Sequence, residues 1–410
     1  MGWLAMNKSK FAILCGLFLA SHQCFAQLQL EPEEERPLHL QVSGSIAHDS
    51  NLFRLPSEVD PQPVIGSSDK SDNIFRIGAG GKYEARVSRQ RFLVEANVDH
   101  YRFQHFDNLN NDSYDGRGEW KWQVGNFWDG TLGVGHRRYL AGFANLQQNI
   151  KDMIDQGRAY GSANYNLHSH LRFTLDLGWY DNRHSADSQK IFDTKVDNTA
   201  FTANWVTPAQ NTVGLQYRTA NAHYPNRDLV ATPGLDNAYR ENEYSLVAHW
   251  RVSGASDFVF RLGHTERAFD QTPTRNFSGP TWRITYNWQP DGKVGLELAT
   301  WREIAEYETL GTNYVRSTGF SLAPTWSITP KTSLRAKASY VTDKFLGDSG
   351  MGVVTSSRED KGRIYQLSAL WSPLRRTNVT LALEKGERTS NQRSADYEYQ
   401  SVTLTAMRTF

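Results

Sequence analysis

The sequence predicts an all-β protein, a transmembrane antiparallel β-barrel of about 18 strands that follows a cleaved signal peptide. Three observations predict it: an apolar N-terminal segment of the secretory type, a two-residue alternation of apolar and polar residues from Leu38 to the last residue, and short turns that alternate with long polar loops. The predicted parts are a signal peptide over residues 1–26, a short periplasmic lead-in over 27–37 and the barrel over 38–410.

The N-terminal segment has the three parts of a secretory signal. Lys8 and Lys10 precede the apolar run from Phe11 to Ala20. Cys24 and Ala26 then supply small residues at positions −3 and −1 of a cleavage site that we expect after Ala26. A signal anchor is the alternative, but the apolar run is short for a helix that spans a bilayer. A lipoprotein fits poorly, because neither cysteine follows a small residue.

Cysteine and charge counts exclude several classes of site. Both cysteines, Cys15 and Cys24, lie in the predicted signal, so the mature chain is expected to have no disulfide, no thiol chemistry and no cysteine-bound metal. Loss of Lys8 and Lys10 with the signal leaves 43 Lys and Arg against 44 Asp and Glu. This balance gives no indication of nucleic-acid binding. The mean hydropathy is −0.60 and no long apolar run follows Ala20, so any membrane insertion has to be as a barrel.

The alternation is clearest in four segments, each of which is apolar on one face and polar on the other. They are Leu171–Trp179, Trp282–Trp288, Leu334–Tyr340 and Phe258–His264. The 12 Trp, 18 Tyr and 20 Phe residues are more than a polar soluble protein needs, and they suit the aromatic girdles of a membrane barrel.

Turn-forming residues divide the chain into units of roughly forty residues. Short turns are predicted near Ser88, Phe127, Ser169, Ala209, Ala255, Asp291, Pro330 and Leu374, and long loops near 50–72, 104–112, 140–152, 181–193, 223–238, 268–278, 306–314, 346–359 and 389–395. A β-propeller has a similar period, but it divides each unit into four short strands. Here each unit holds two strands of about ten to fourteen residues, which suits a tilted membrane strand.

The last strand ends in Phe410, which resembles the C-terminal signal read by the outer-membrane assembly machinery. Arg408 departs from the apolar residue that is often found two positions before the end.

A barrel of this size encloses an aqueous lumen, and alternation assigns residues to its wall. The predicted charged wall residues are Glu95, Asp99, Arg172, Asp176, Arg218, Arg251, Arg261, Arg283, Glu297, Arg335 and Lys337, and the predicted inward aromatics are Tyr101, Tyr180 and Trp301. Charges of both signs and aromatic rings are suited to contact with sugars. The alternative is that these charges pair with one another and only stiffen the barrel.

Catalytic and metal motifs are weak in this sequence. It has no Gly-x-Ser-x-Gly and no His-Glu-x-x-His. His168 and His170 share a short turn without a nearby carboxylate, which is more typical of solvated histidines than of a metal site. A Ser–His barrel lipase remains the enzymatic alternative. We expect no enzyme activity and no cofactor.

The segment from Leu38 to Pro56 (LHLQVSGSIAHDSNLFRLP) resembles the start of outer-membrane barrels of the β-barrel porin 2 type, and most closely the EpsL-type proteins of exosortase-associated exopolysaccharide operons. Further likeness lies in Gln90–Asn97, Tyr101–Phe103 and the segment from Asn108 to Trp122. This resemblance implies a role in polysaccharide export at the outer membrane. If the motif from Asp49 to Arg54 is functional, Asp49, Asn51 and Arg54 are expected to organise the pore mouth; otherwise Leu52 and Phe53 anchor the first loop while Asn51 makes a turn.

The function predicted from these observations is passive export of an exopolysaccharide through the outer membrane. The expected partners are the polymer, outer-membrane lipid and lipopolysaccharide, the assembly machinery at Phe410, and inner-membrane and periplasmic export proteins. A general or solute-specific porin and a structural or adhesive surface barrel are the alternatives. A monomer is favoured, because no single long loop stands out as a trimer latch or a constriction loop.

Overall fold

The computed structural model describes residues 37–227, 236–271, 273, 276–305, 314–346 and 358–410. The predicted signal peptide and all of the lead-in except Pro37 lie outside these residues, as do most of the predicted loops at 223–238, 306–314 and 346–359. The described part of the chain holds no helix that is long and apolar enough to cross a membrane.

Eighteen β-strands account for most of the described chain. They are β1 (Leu38–Asp49), β2 (Asp72–Val87), β3 (Gln90–Phe103), β4 (Asn111–Val124), β5 (Trp128–Leu140), β6 (Met153–His168), β7 (Leu171–His184), β8 (Thr194–Val206), β9 (Thr212–His223), β10 (Ala238–Ser253), β11 (Ser256–Phe269), β12 (Phe277–Trp288), β13 (Val294–Ala305), β14 (Tyr314–Thr329), β15 (Thr332–Leu346), β16 (Glu359–Leu374), β17 (Thr377–Ser390) and β18 (Tyr397–Thr409). Two single-turn helices, α1 (Gln62–Ile65) and α2 (Phe143–Leu146), and 3₁₀ turns at Asp107–Leu109, Asp187–Phe192 and Arg393–Ala395 lie in the long connections.

The strands form one closed antiparallel sheet. Each strand pairs with its neighbours in sequence, and the ring closes where β1 pairs with β18 from Gln41 opposite Thr409 to Asp49 opposite Ser401. The Phe410 amide extends this seam by donating to the carbonyl of Leu40 (2.7 Å). Closure leaves no unpaired edge, which a barrel in lipid requires. The predicted 18-stranded antiparallel barrel is confirmed.

Short turns and long loops lie at opposite ends of the barrel, here called the turn end and the loop end. Every predicted short turn falls between two strands that form a hairpin, and the described long connections match the predicted loops to within a few residues. The strands are 12 to 16 residues long, somewhat longer than predicted. At the loop end the outward residues of several strands are charged, so these strands extend past the apolar belt.

The outward face carries an apolar belt between two aromatic girdles. Outward aromatic residues recur six positions apart along single strands, as in Tyr244 with Trp250 on β10 and Phe320 with Trp326 on β14, and the four side chains are 38–56% exposed. Six residues span roughly 20 Å of strand. Leu246, Leu322 and Leu367 are exposed between the girdles. Large apolar side chains exposed in a continuous band require a lipid surrounding.

Candidate pore

Cross-strand register assigns one residue parity of each strand to the inner wall. The 14 residues predicted for the lumen all have this inward parity. Most of their cross-strand partners are polar or small, whereas the residues on either side of them along the strand point outward into the apolar belt. They are Glu95, Asp99 and Tyr101 on β3; Arg172, Asp176 and Tyr180 on β7; Arg218 on β9; Arg251 on β10; Arg261 on β11; Arg283 on β12; Glu297 and Trp301 on β13; and Arg335 and Lys337 on β15. Their role as a substrate path stays a prediction.

Seven of the inner-wall charges form one connected row across β9 to β13, which we call the charged row: Arg267, Glu241, Arg218, Glu243, Arg261, Glu303 and Arg283. Glu241 accepts from Arg267 at 2.7 Å and from Arg218 at 2.6 Å. Arg218 also contacts Glu243 at 2.7 Å, and Glu243 pairs with Arg261.

Glu303 completes the row. It accepts from Arg261 at 2.7 Å and from Arg283 at 2.5 Å. Each of the three glutamates therefore bridges two arginines, and the row ends in an arginine on both sides. Charge-assisted hydrogen bonds of this kind hold the side chains in fixed positions, so the row presents a rigid polar surface with one more cation than anions.

The other predicted wall charges differ in their pairing. Glu95 contacts Arg117 on β4, and Asp99 contacts Arg76 on β2 at 3.0 Å. Arg335 and Glu297 are farther apart, at 3.6 Å. Within the described chain, Arg172, Arg251 and Lys337 have no carboxylate within ion-pair distance. Arg172 donates to the side-chain oxygen of Asn166 at 2.7 Å, whereas Arg251 and Lys337 remain available to a solute.

The three predicted aromatics have different surroundings. Trp301 lies flat on the wall over Gly319, since a Cβ on that glycine would come within 2.5 Å of the indole. Its ring therefore presents a face to the lumen, and the guanidinium of Arg283 is 5.7 Å from its centroid. Tyr180 accepts a hydrogen bond from Gln156 (2.6 Å) and packs at the edge of an apolar cluster. Tyr101 packs against a buried apolar cluster at the loop end that contains Phe53 and Phe106.

Four members of the charged row are not among the residues predicted from the sequence: Glu241, Glu243, Glu303 and Arg267. Alternation could have found them, because they share the parity of Arg218 and Arg261 on their strands. The alternation is weak at the loop end of β10, because the outward neighbours Arg240 and Asn242 are polar as well. Where both faces of a strand are polar, a two-residue period cannot tell the lumen from the outside.

Asp49, Asn51 and Arg54 form a buried polar cluster at the end of β1. Arg54 forms a two-pronged salt bridge with Asp49 (2.8 and 2.9 Å), and its guanidinium lies 3.5 Å from the ring centroid of Tyr399. Burial opposes the charge on Arg54, but the attraction and hydrogen bonds of Asp49 outweigh it and raise the pKa of Arg54. Asn51 donates to the carbonyls of Leu55 and Glu398. These contacts fix the first loop rather than expose polar groups to the lumen.

The first three long loops fold inward over the mouth. We number them loop 1 (residues 50–71), loop 2 (104–110) and loop 3 (141–152). Phe53 of loop 1 is fully buried, and its ring centroid lies 4.7 Å from those of Phe106 in loop 2 and Phe143 in loop 3. The same cluster includes Ala47 and Phe103, which have the inward parity of β1 and β3. The aromatic contacts therefore hold the loops against the inner wall.

Loop 3 extends along the mouth as far as β17. Arg388, on the inner face of β17, donates to the Ala144 carbonyl at 2.9 Å. Between β5, where loop 3 starts, and β17 lie five strands of the ring. Gln147 of loop 3 also donates to the Arg54 carbonyl at 2.6 Å. No single long loop stands out as a constriction loop in the sequence, but these contacts place loop 3 inside the ring, across part of the mouth.

A second apolar cluster lines the loop end on the opposite side. Tyr224, Tyr239, Phe269, Phe277 and Tyr314 pack together there. On this side of the barrel the charged row therefore lies directly below an apolar cluster, where Arg267 packs against the ring of Tyr239. Among the described residues no group of three His, Cys, Asp or Glu side chains has the arrangement of a metal site, and this holds for His168 and His170.

Solved bacterial structures similar to this chain include a porin. The chain is similar to OccK2 (OpdF) of Pseudomonas aeruginosa, with a TM-score of 0.52, 9% identity, and 91% and 98% of the two chains covered. The fold is that of an 18-stranded porin. It is equally similar to a BenF-like porin from Pseudomonas fluorescens Pf-5 (TM-score 0.52, 9% identity, 91% and 99% covered) and similar to OccK9 (OpdG) of Pseudomonas aeruginosa (0.50, 13%, 91% and 98%).

The sequence profile of the family described as "Putative beta-barrel porin 2" matches residues 260–409 of this porin-type barrel. The match covers β12 to β18 and most of β11. The most specific residues of the resemblance to EpsL-type proteins lie in the first third of the chain, outside this match, and that narrower identity stays a prediction. No curated protein matches the chain. Fold, apolar belt and girdles together locate this barrel in the bacterial outer membrane.

Proposed function

We propose that the protein is a passive, non-enzymatic channel for small hydrophilic solutes, that is, a solute-specific porin. The observation that carries this proposal is the charged row from Arg267 to Arg283. A row of bridged charges on the inner wall offers a solute both donors and acceptors in fixed positions, while the loops above it limit the size of what enters.

Trp301 and Arg283 extend this surface. The indole lies flat over Gly319 and the guanidinium is 5.7 Å from its centroid, so a ring face and a cation adjoin one another on the wall. An organic solute with an apolar face and a polar edge can stack on the first and bond to the second. Arg251 and Lys337 add cations for negatively charged solutes.

Export of an exopolysaccharide is the hypothesis that the resemblance implied, and it fits these observations less well. A polymer has to thread the mouth, where loop 3 reaches from β5 to Arg388 and loops 1 and 2 pack against each other and against loop 3. A small solute passes beside such an obstacle, whereas a continuous chain requires the loops to move. Recognition of Phe410 by the assembly machinery and contact with export proteins stay predictions.

Conductance of the refolded mature protein in planar bilayers tests the proposal. We expect steady ion conductance that small sugars or small carboxylates reduce in a concentration-dependent way, and that the exopolysaccharide of the host leaves unchanged. Reversible block by the polymer would support export instead. A barrel that never conducts, although circular dichroism shows it folded, would overturn both hypotheses and favour a structural surface barrel.

A genetic experiment separates the two channel hypotheses in the cell. If the protein is a solute channel, deletion leaves the amount of secreted polymer unchanged and slows growth on the transported solute. Accumulation of polymer inside the deletion strain would contradict the proposal.

A further inference from the structure

The outward face just beyond the loop-end girdle has an uneven distribution of charge. On β13 to β18 the outward residues at this height include six cations and three carboxylates, whereas on β1 to β12 cations and carboxylates are equal in number. The first set is Arg302, Arg316, Lys344, Lys361, Arg363 and Lys385 with Glu359, Glu387 and Glu398; the second is Arg102, Arg138, Arg183, Lys195 and Arg240 with Asp112, Asp155, Asp181, Asp197 and Glu266. We call the six cations the basic patch.

Cross-strand register fixes the height of the basic patch relative to the membrane. Arg302 lies opposite Trp282 and Arg363 opposite Tyr340, and these aromatic residues belong to the loop-end girdle. The Arg302 guanidinium is 5.5 Å from the Trp282 ring centroid. Girdle aromatics lie at the level of the lipid headgroups. The basic patch therefore faces the headgroup layer of the leaflet on the loop side, which is the outer leaflet.

Most cations of the basic patch form no ion pair with a carboxylate of the described chain. Lys344 pairs with Glu359 at 2.9 Å and Arg363 with Glu387 at 2.5 Å. Among the described residues, Arg302, Arg316, Lys361 and Lys385 have no carboxylate within 4.0 Å. The Nε of Arg302 is buried and has no hydrogen-bond acceptor within the described chain.

The register also brings like charges together. Arg316 lies directly opposite Lys344, and directly opposed like charges destabilise a sheet. An anion that bridges the two side chains removes this penalty. The number of cations is also more than one phosphate requires, so the patch suits a ligand with several anionic groups.

We propose that the basic patch binds the phosphorylated glycolipid of the outer leaflet, lipopolysaccharide. Its phosphates would contact Arg316, Lys361 and Lys385, while its acyl chains would lie along the belt below the girdle. Arginine and lysine at the headgroup level are the side chains that recognise lipid phosphates. The balanced charges on β1 to β12 offer no comparable site. This inference is independent of transport through the lumen.

Binding of lipopolysaccharide to the purified full-length mature barrel tests the proposal. The triple variant Arg316→Gln/Lys361→Gln/Lys385→Gln removes cations that have no carboxylate partner and leaves both ion pairs of the patch in place. We expect its affinity for lipopolysaccharide to fall about tenfold or more. The matched control is Arg102→Gln/Lys195→Gln/Arg240→Gln, which removes three cations of the same height on the balanced side and should bind like the parent.

Further probes identify the ligand group. Dephosphorylated lipopolysaccharide should bind the parent about as weakly as the intact lipid binds the patch variant. Neither inorganic phosphate nor phosphatidylglycerol at equal concentration should displace the intact lipid. Equal affinity of both triple variants, undiminished binding of the dephosphorylated lipid, or displacement by inorganic phosphate or phosphatidylglycerol would each overturn the proposal. Heat-shifted electrophoretic mobility verifies that every variant is a folded barrel.

Discussion

Arg388 on the inner face of β17 donates a 2.9 Å hydrogen bond to the carbonyl of Ala144, which precedes it by 244 residues. Its Nε donates to the carbonyl of Ala395 at 2.7 Å. One guanidinium thus ties loop 3 to the last long connection, near the seam that closes the barrel. We therefore expect the size of the opening to depend on these two hydrogen bonds.

Arg388→Ala should release loop 3 and widen the opening. Hydrogen bonds from a charged group contribute about 1.5–3 kcal/mol each, so the loop is expected to lose its fixed position while the barrel stays closed. We expect higher single-channel conductance with more current noise. Arg393→Ala, which removes an exposed cation of the same connection, is the control. Identical conductance in both variants would show that loop 3 does not limit the current.

Loop 1 should depend on the buried pair of Asp49 and Arg54. Asp49→Ala leaves the guanidinium of Arg54 buried without its carboxylate, and loss of one partner of a buried pair costs about 3–5 kcal/mol. The local stability of loop 1 is expected to fall far more than that of the barrel. Limited proteolysis should detect cleavage within residues 50–71. Glu58→Ala, which alters an exposed residue of the same loop, is the control and should be cleaved at the rate of the parent. If Asp49→Ala is cleaved no faster than the parent, the pair of Asp49 and Arg54 does not hold loop 1 in place.

The charged row should set ion selectivity. Glu303→Gln removes the carboxylate that bridges Arg261 and Arg283, so the wall gains a net positive charge at that point. The reversal potential in a salt gradient should shift toward anion selectivity. Glu266→Gln removes a carboxylate on the outward face of β11 and should leave the reversal potential unchanged. If both variants shift it equally, the row does not face the ion path.

The flat position of Trp301 should require glycine at position 319. A Cβ at Gly319 would come within 2.5 Å of the indole and 2.7 Å of the Tyr340 carbonyl oxygen, and the latter belongs to the backbone and cannot turn away. Gly319→Ala is therefore expected to push Trp301 into the lumen, lower conductance and shift the tryptophan emission. Gly295→Ala, on the inner face of β13, meets its nearest atom at 3.9 Å and should change neither property. Unchanged conductance in Gly319→Ala would mean that the indole already lies outside the current path.

Sequence alone determined the strand number, the positions of the turns and the assignment of Arg218, Arg261 and Arg283 to the inner parity. The physical reason is that a β-strand alternates its side chains strictly, and a membrane barrel requires one continuous apolar face. That constraint is strong wherever Leu, Val or Trp occupies alternate positions. It fails at the loop end, where both faces of the strands are polar, and for this reason Glu241 and Glu243 were missed.

Tertiary structure alone decided which residues meet across the ring. The bridges of the charged row join five separate strands, and the contact of Arg388 with Ala144 depends on barrel closure and on the inward fold of loop 3. Neither follows from a local period, because alternation gives the face of a residue and not its neighbours around the circumference. Asp49 and Arg54 give another example. The sequence predicts them at the pore mouth, but only the packing shows that they form a buried ion pair with each other and hold loop 1 in place.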